Sequence, residues 1–225
     1  MKEYYKAYDD RYRAMHRRGL RWASDEPTPL VVELIKKHGF ASAAKMLEIG
    51  CGEGRDAGAV LNQGYDLTAA DVSPEAIRYC RERYPAFADS FIVLDCLSDS
   101  YEGLYDYIYS VAVIHMLISE DDRQRFYRFI RDHLTEKGIA LICSMGDGQT
   151  ESCSDIHAAY EPVPRDHPAG EVTVPQTSCR IVSLSAFEAE ILSSGLIPEE
   201  IGITSSPPEF DKMLYAVVRA SADAL

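Results

Sequence analysis

The stretch Met46-Leu47-Glu48-Ile49-Gly50-Cys51-Gly52-Glu53-Gly54-Arg55-Asp56 sets three glycines at alternate positions directly after an apolar run. Lys45 to Ile49 reads as a short buried strand, and Gly54 to Asn62 as a helix ended by Gly64. Glycine lacks a Cβ, so it accepts positive φ and lets backbone approach a ligand. The helix that follows offers unpaired N–H groups and a partial positive charge. A carboxylate or a ribose edge can bind there. Dinucleotide loops use G-x-G-x-x-G, whose third small residue packs helix on strand. Here that place is held by Arg55, and Glu48 precedes the glycines, so the spacing argues against NAD.

The pattern downstream alternates. Tyr65 to Ala70 reads as a second strand, ending in Asp71-Val72-Ser73. Ser73-Pro74-Glu75 supplies a cap, a first-turn proline and a first-turn acid for a helix. Phe91 to Leu94 is a third strand before Asp95-Cys96, and Tyr105 to Ser110 a fourth before Val111-Ala112-Val113-Ile114-His115-Met116-Leu117. Arg123 to Leu134 is an amphipathic helix, and Thr135-Glu136-Lys137-Gly138 turns the chain into a fifth strand, Ile139 to Cys143. Such alternation implies a parallel sheet with right-handed crossovers.

The run Glu48-x-Gly50-x-Gly52-x-Gly54 resembles motif I of class I S-adenosylmethionine (SAM)-dependent methyltransferases, and the likeness continues through residues 46 to 145. The wording Gly54-Arg55-Asp56 with Gly64-Tyr65-Asp66 is most similar to the small-molecule branches, such as the tellurite-resistance and thiopurine methyltransferase relatives. The resemblance implies a doubly wound, mostly parallel seven-stranded α/β sheet with an antiparallel last strand and an N-terminal helical cap. It implies SAM as cofactor and S-adenosylhomocysteine as product. Glu48, Gly50, Cys51, Gly52 and Gly54 would form the first part of the cofactor site. Asp71 would bind the ribose hydroxyls and Val72 would pack on adenine. Asp95 and Cys96 would meet the adenine edge, and Ser110 and Val111 would border the sulfonium. His115, just after strand four, is the candidate catalytic base or substrate ligand; a helix-packing histidine is the alternative.

Ahead of this core, residues 1 to about 18 read as a helix with Tyr4, Tyr8 and Tyr12 on one face, followed by Trp22. A second helix starts in Ser24-Asp25-Glu26-Pro27 and ends near His38-Gly39. Cations and aromatic faces attract each other. Tyr4, Tyr8 and Trp22 are therefore candidate lid residues over a sulfonium, or simply one packed face. Ser144 to about Val182 is long and rich in Pro, Gly, Ser and Asp, as lids and binding loops are. Val172-Thr173-Val174 and Arg180-Ile181-Val182 are placed to form a hairpin within it. Asp147, after strand five, is a candidate substrate contact or a solvated turn residue. Ser185 to Ser194 is a helix. Leu196 to Thr204 and Met213 to Arg219 are strands joined too tightly to be parallel.

The 225 residues suit one domain, divided as a cap (1–44), a core (45–145), a lid or substrate loop (146–182) and a C-terminal helix and strand pair (183–225). Net charge is −13, which disfavours nucleic-acid binding. Residues 1–45 nevertheless carry ten Lys and Arg against six Asp and Glu, so this arm either lies on the acidic body or meets an anionic substrate. No apolar run is long enough to cross a membrane. The first residues show no signal-peptide pattern, and the six cysteines include no C-x-x-C pair. Both point to reduced thiols in the cytoplasm. Cys153, His157, His167 and Cys179 match no zinc spacing, so no metal is expected. The expected activity is methyl transfer from SAM to a small-molecule acceptor. Three alternatives stay open: a SAM-binding module without chemistry, a nucleic-acid methyltransferase, and an NAD-dependent enzyme. Neither the acceptor nor the oligomeric state is legible.

Overall fold

The computed structural model of the chain describes residues 3–221. In chain order its elements are α1 (Ala7–His16), α2 (Pro29–His38), β1 (Lys45–Ile49), α3 (Arg55–Leu61), β2 (Asp66–Asp71), α4 (Pro74–Arg83), β3 (Phe91–Val93), β4 (Tyr105–Val111), α5 (Glu120–Asp132) and β5 (Leu134–Met145). Then follow β6 (Ser152–Cys153), β7 (Pro162–Arg165), β8 (Val172–Pro175), β9 (Arg180–Ile181), α6 (Leu184–Ser193), β10 (Leu196–Thr204) and β11 (Met213–Ala220). Residues 1 and 2 of the expected first helix, and the last four of the chain, lie outside the described residues.

Seven strands form one sheet in the order β10-β11-β5-β4-β1-β2-β3. β1 pairs in parallel with both β2 and β4, so the winding reverses there, and the crevice at such a switch point is where open α/β sheets bind ligands. β11 is antiparallel to both of its neighbours, β5 and β10. Successive residues of a strand face opposite sides. Thus Met46 packs with Val31, Ile35, Val60 and Ile77 under α2, α3 and α4. Leu47 packs with Phe126, Ile130, Phe187 and Ile191 under α5 and α6. Burying one such side chain contributes about 1.5–3 kcal/mol. Local signals set the helix starts. Ser73 Oγ accepts from Ala76 N above Pro74, and Ser119 Oγ accepts from Asp122 N ahead of three first-turn acids.

Three expectations are corrected. The second helix starts at Pro29 and not in the Ser24–Pro27 stretch, because Thr28 is fixed by Asp56 through its N–H (2.6 Å) and hydroxyl (3.0 Å). Residues 135–138 make no turn before the fifth strand. β5 already begins at Leu134 and carries them as a bulge, Leu134 opposing Tyr105 and Ile139 opposing Tyr107. Gly138 fits there because a Cβ would lie 2.7 Å from the Tyr105 carbonyl oxygen. Finally, 172–174 does not pair with 180–182. β8 pairs with β7 and β9 with β6, each antiparallel. The prolines of β7 disguise a short edge strand, a place where proline is tolerated. Val172 and Val174 of β8 are buried against Met15 and Trp22, so the cap and the 146–182 segment form one layer.

Candidate functional site

The glycine turn closes on the end of β2. Gly50 N and Cys51 N both donate to the Ala70 carbonyl, at 2.7 and 2.9 Å. Gly50 and Gly52 have φ of 76° and 53°, in the left-handed region. A Cβ would stand 2.3 Å from Val113 Cγ2 at Gly50 and 2.7 Å from the Tyr12 hydroxyl at Gly52. A larger residue at either position would be strained by the positive φ and would have to displace these side-chain atoms. Asp71 ends β2, 7% exposed, with Oδ2 accepting from Gly52 N and Oδ1 from Ser73 N, both at 2.8 Å. Burial raises its carboxyl to about 6 against the lowering effect of those two N–H groups.

Two adjoining cavities, of about 110 and 730 Å³, open along this edge, and Tyr8, Tyr12, Gly50, Ala112 and Met116 line both. The smaller is walled by Asp71, Val72, Leu94, Asp95, Cys96 and Phe126 among others. It is a small, mostly apolar slot whose lining includes two carboxylates, Asp71 and Asp95. Asp95 is buried and accepts from the Tyr5 hydroxyl (3.0 Å), Lys6 Nζ (2.9 Å) and Leu97 N (3.1 Å). Burial opposes its ionisation, yet Lys6 and these donors hold its pKa below the usual range.

The larger cavity takes in Glu48, Cys51, Val111, His115 and Trp22, together with Arg11, Glu53, Arg55, Arg165, Thr177 and Phe210. Glu48 accepts from the Tyr109 hydroxyl at 3.1 Å, and burial, then Asp56, push its carboxyl well up. His115 is 4% exposed and its Nδ1 has no hydrogen-bond partner. Burial and then the Arg123 cation lower it to about 4, so the ring is neutral at neutral pH. Arg123 fixes the turn carrying His115 by donating to the Ile114 (2.7 Å) and Leu117 (3.3 Å) carbonyls, and is itself paired with Glu190. Beside it, Ala112 has φ of 61°. Strain of this kind clusters at ligand sites.

Some predicted site residues stand elsewhere. Tyr4 lines neither cavity; its hydroxyl donates to Asp122 (2.6 Å) and accepts from Ile118 N (3.1 Å), anchoring the chain start to the head of α5. Asp147 is also outside both, its carboxylate taken by Gln149 N and Thr150 N as a turn residue. Ser110 donates to the Ile49 carbonyl at 2.9 Å and so ties β4 to β1. Gly54 lies behind the loop, against Tyr84 and Cys80. Sequence reading passed over Tyr12, Arg11, Arg165 and His16. Arg11 follows Tyr8 by three places, the spacing that puts both on one helix face, and that was a readable signal. Arg55 pairs with Asp56 and Glu209 at the cavity wall. Among the described residues no group of His, Cys, Asp and Glu is placed to hold a metal ion.

Residues 47–140, which carry β1 to the start of β5, match the protein family described as a methyltransferase domain. The match spans 94 of the 225 residues. The whole fold is similar to the CcbJ methyltransferase from Streptomyces caelestis, at 16% identity and a TM-score of 0.70 over 97% of this chain and 99% of that one. It is similar to the Burkholderia thailandensis 1,6-didemethyltoxoflavin-N1-methyltransferase, solved with 1,6-didemethyltoxoflavin and S-adenosylhomocysteine bound (16% identity, TM-score 0.71, 97% and 89% covered). A third likeness is to the glycopeptide N-methyltransferase MtfA complexed with SAM (18% identity, TM-score 0.62, 87% and 94% covered). At these identities the likeness is one of fold. No curated protein matches the sequence. The matched segment thus supplies most of the smaller cavity and the floor of the larger one, while residues of the cap and the 146–182 segment line them from the other side.

Proposed function

We propose that this protein transfers a methyl group from SAM to a small-molecule acceptor, the cofactor spanning the glycine turn and the smaller cavity. The observation that carries the reading is Asp71. Its carboxylate ends β2 inside the slot, is oriented by two backbone N–H groups and keeps lone pairs for a ribose diol. Val72, Leu94 and Cys96 offer flat apolar walls to a purine, with Asp95 at its amino edge. Bound SAM supplies the electrophilic methyl of a sulfonium. The larger cavity would hold the acceptor, where excluding water and aligning the nucleophile supply much of the rate.

His115 lines the larger cavity, where its ring edge orients the acceptor's O–H or N–H. A group lowered to about 4 is a weak base. It orients a neutral nucleophile whose proton leaves after transfer, a case that needs no early deprotonation. Tyr8, Tyr12 and Trp22 form the aromatic side of the cavities. The chain works as one unit, with the cap at 1–44, the core at 45–145, the lid at 146–182 and the C-terminal part at 183–225. We also place it in the cytoplasm, without a nucleic-acid partner, a placement supported by six free cysteines and the net charge of −13. No described helix is long and apolar enough to cross a membrane.

Asp71→Ala tests the reading. S-adenosylhomocysteine affinity by calorimetry is expected to fall at least about tenfold, the scale of losing a charged hydrogen-bond acceptor, with the melting temperature retained. Unchanged affinity in a folded variant would remove Asp71 from the cofactor site.

A further inference from the structure

Two cations, Arg11 and Arg165, line the larger cavity from its roof. Arg11 is 3% exposed, an extreme burial for a cation. Its Nε and Nη2 donate to the Pro175 and Gln176 carbonyls and the Thr177 hydroxyl, and Nη1 donates to the Tyr8 hydroxyl. Its guanidinium lies 4.6 Å from the Tyr8 ring centroid and 4.4 Å from that of Trp22. These are carbonyls, hydroxyls and aromatic faces, with no carboxylate among them. Burying an unpaired charge is costly, and rings and dipoles offset it only in part. Arg165 lines the same cavity from β7, is exposed, and repels Arg11. Among the described residues, neither guanidinium has an ion-pair partner.

All but one of the carboxylates of the same cavity are spoken for. Glu53 takes His16 Nε2 and the N–H groups of Trp22 and Ala23. Asp56 and Glu209 hold Arg55. Glu48 is pushed towards its neutral form by burial. Asp166 lines the mouth, and no ion pair ties it to Arg11 or Arg165. The unbalanced cations come from α1 and β7, hence from the roof and not from the glycine turn that faces the cofactor.

We propose that the acceptor is a small carboxylic acid, its carboxylate paired with Arg165 under the field of Arg11 and its body lying against Trp22, Phe210 and Met116. This rests on the methyltransferase reading for the word acceptor, but the anion site is measurable without it. The chain has one tryptophan, Trp22, which stacks on Arg11 and lines the cavity, so its fluorescence reports occupancy directly.

The full chain is titrated with benzoate and phenylacetate and with their carboxamides, with and without saturating S-adenosylhomocysteine, following Trp22. The acids are expected to bind about fivefold or more tightly than the amides, the value of a partly exposed ion pair. Raised salt should narrow the gap. Arg165→Ala should abolish the preference and Arg165→Glu reverse it, while S-adenosylhomocysteine affinity stays within about twofold of wild type. Equal binding of acid and amide, or no response to either acid at millimolar concentration, overturns the proposal. So does a parallel loss of S-adenosylhomocysteine affinity in Arg165→Ala, which would assign the cations to the cofactor's own carboxylate. A wild type that prefers the acids yet binds no S-adenosylhomocysteine overturns the methyltransferase reading and leaves the anion site standing.

Discussion

Asp71 is buried and still titrates within reach of physiological pH, at about 6. As a carboxylate it accepts from a ribose hydroxyl; protonated, it gives up that acceptor. S-adenosylhomocysteine affinity is therefore expected to fall as pH drops through about 6, and Asp71→Asn should flatten that profile. Calorimetry from pH 5 to 8 measures both. Gly50 makes a separate point. Gly50→Ala forces a non-glycine residue into left-handed backbone, costing about 1–2 kcal/mol, and drives its Cβ into Val113. The melting temperature of Gly50→Ala should fall, and the added change Val113→Ala should restore part of it by removing the methyl in the way. His115 is neutral above about pH 4. Its replacement by Ala should lower kcat about 10- to 100-fold with no inflection near pH 6.5 in the wild-type profile. An inflection there, lost in the variant, would make it an ordinary titrating base.

At the scale of elements, α1 is latched to the core by charge. His16 Nδ1 meets Glu75 on α4 at 2.8 Å, and Nε2 meets Glu53 in the glycine turn at 2.9 Å. Both nitrogens facing carboxylates requires the imidazolium, since a neutral ring has one N–H. Burial opposes that charge, but Glu53 and Glu75 outweigh it and raise the His16 pKa above 6.5. Arg78 and His16 hold Glu75 down at about 2. A raised histidine contributes stability that is complete below 6.5 and lost as pH rises through the folded value. A depressed glutamate contributes above 4.5 and loses it only as pH falls through about 2. The cap is thus tightest between about pH 4.5 and 6.5 and loosens on the alkaline side. Trp22 fluorescence across pH 5 to 10 should show one transition, absent in His16→Ala. That variant should also lose about 3–5 kcal/mol, the cost of breaking a buried pair.

Elements differ in how far the sequence discloses them. β1, β2 and β4 lie between faces that are both covered, so their apolar runs were legible. Ser73 and Pro74 announced α4. The short strands β6 to β9 were mispaired, because their partners are chosen by the packing of Val172 and Val174 on Met15, a contact distant in sequence. The site divides in the same way. Candidate residues at the tips of the parallel strands were readable through the resemblance that the glycine run carries. His16 and Arg165 act through contacts with distant segments, of which a lone sequence carries no sign, whereas Arg11 was signalled by its spacing from Tyr8.

For the whole molecule, the basic arm touches the acidic body through Lys6 on Asp95 and His16 on Glu53 and Glu75. Lys6 and Tyr5 sit on the very carboxylate assigned to the adenine edge. On the proposed assignment, cofactor entry would draw Asp95 away from Lys6 and Tyr5 and so link cofactor binding to the position of the cap. The central claim is that the glycine turn and Asp71 select SAM over a dinucleotide. Calorimetric titration of the full chain with S-adenosylhomocysteine and with NAD, side by side, tests it most directly. The account predicts saturable micromolar binding of S-adenosylhomocysteine, weakened in Asp71→Ala, and no heat of binding with NAD. Saturable binding of NAD with none of S-adenosylhomocysteine would contradict it.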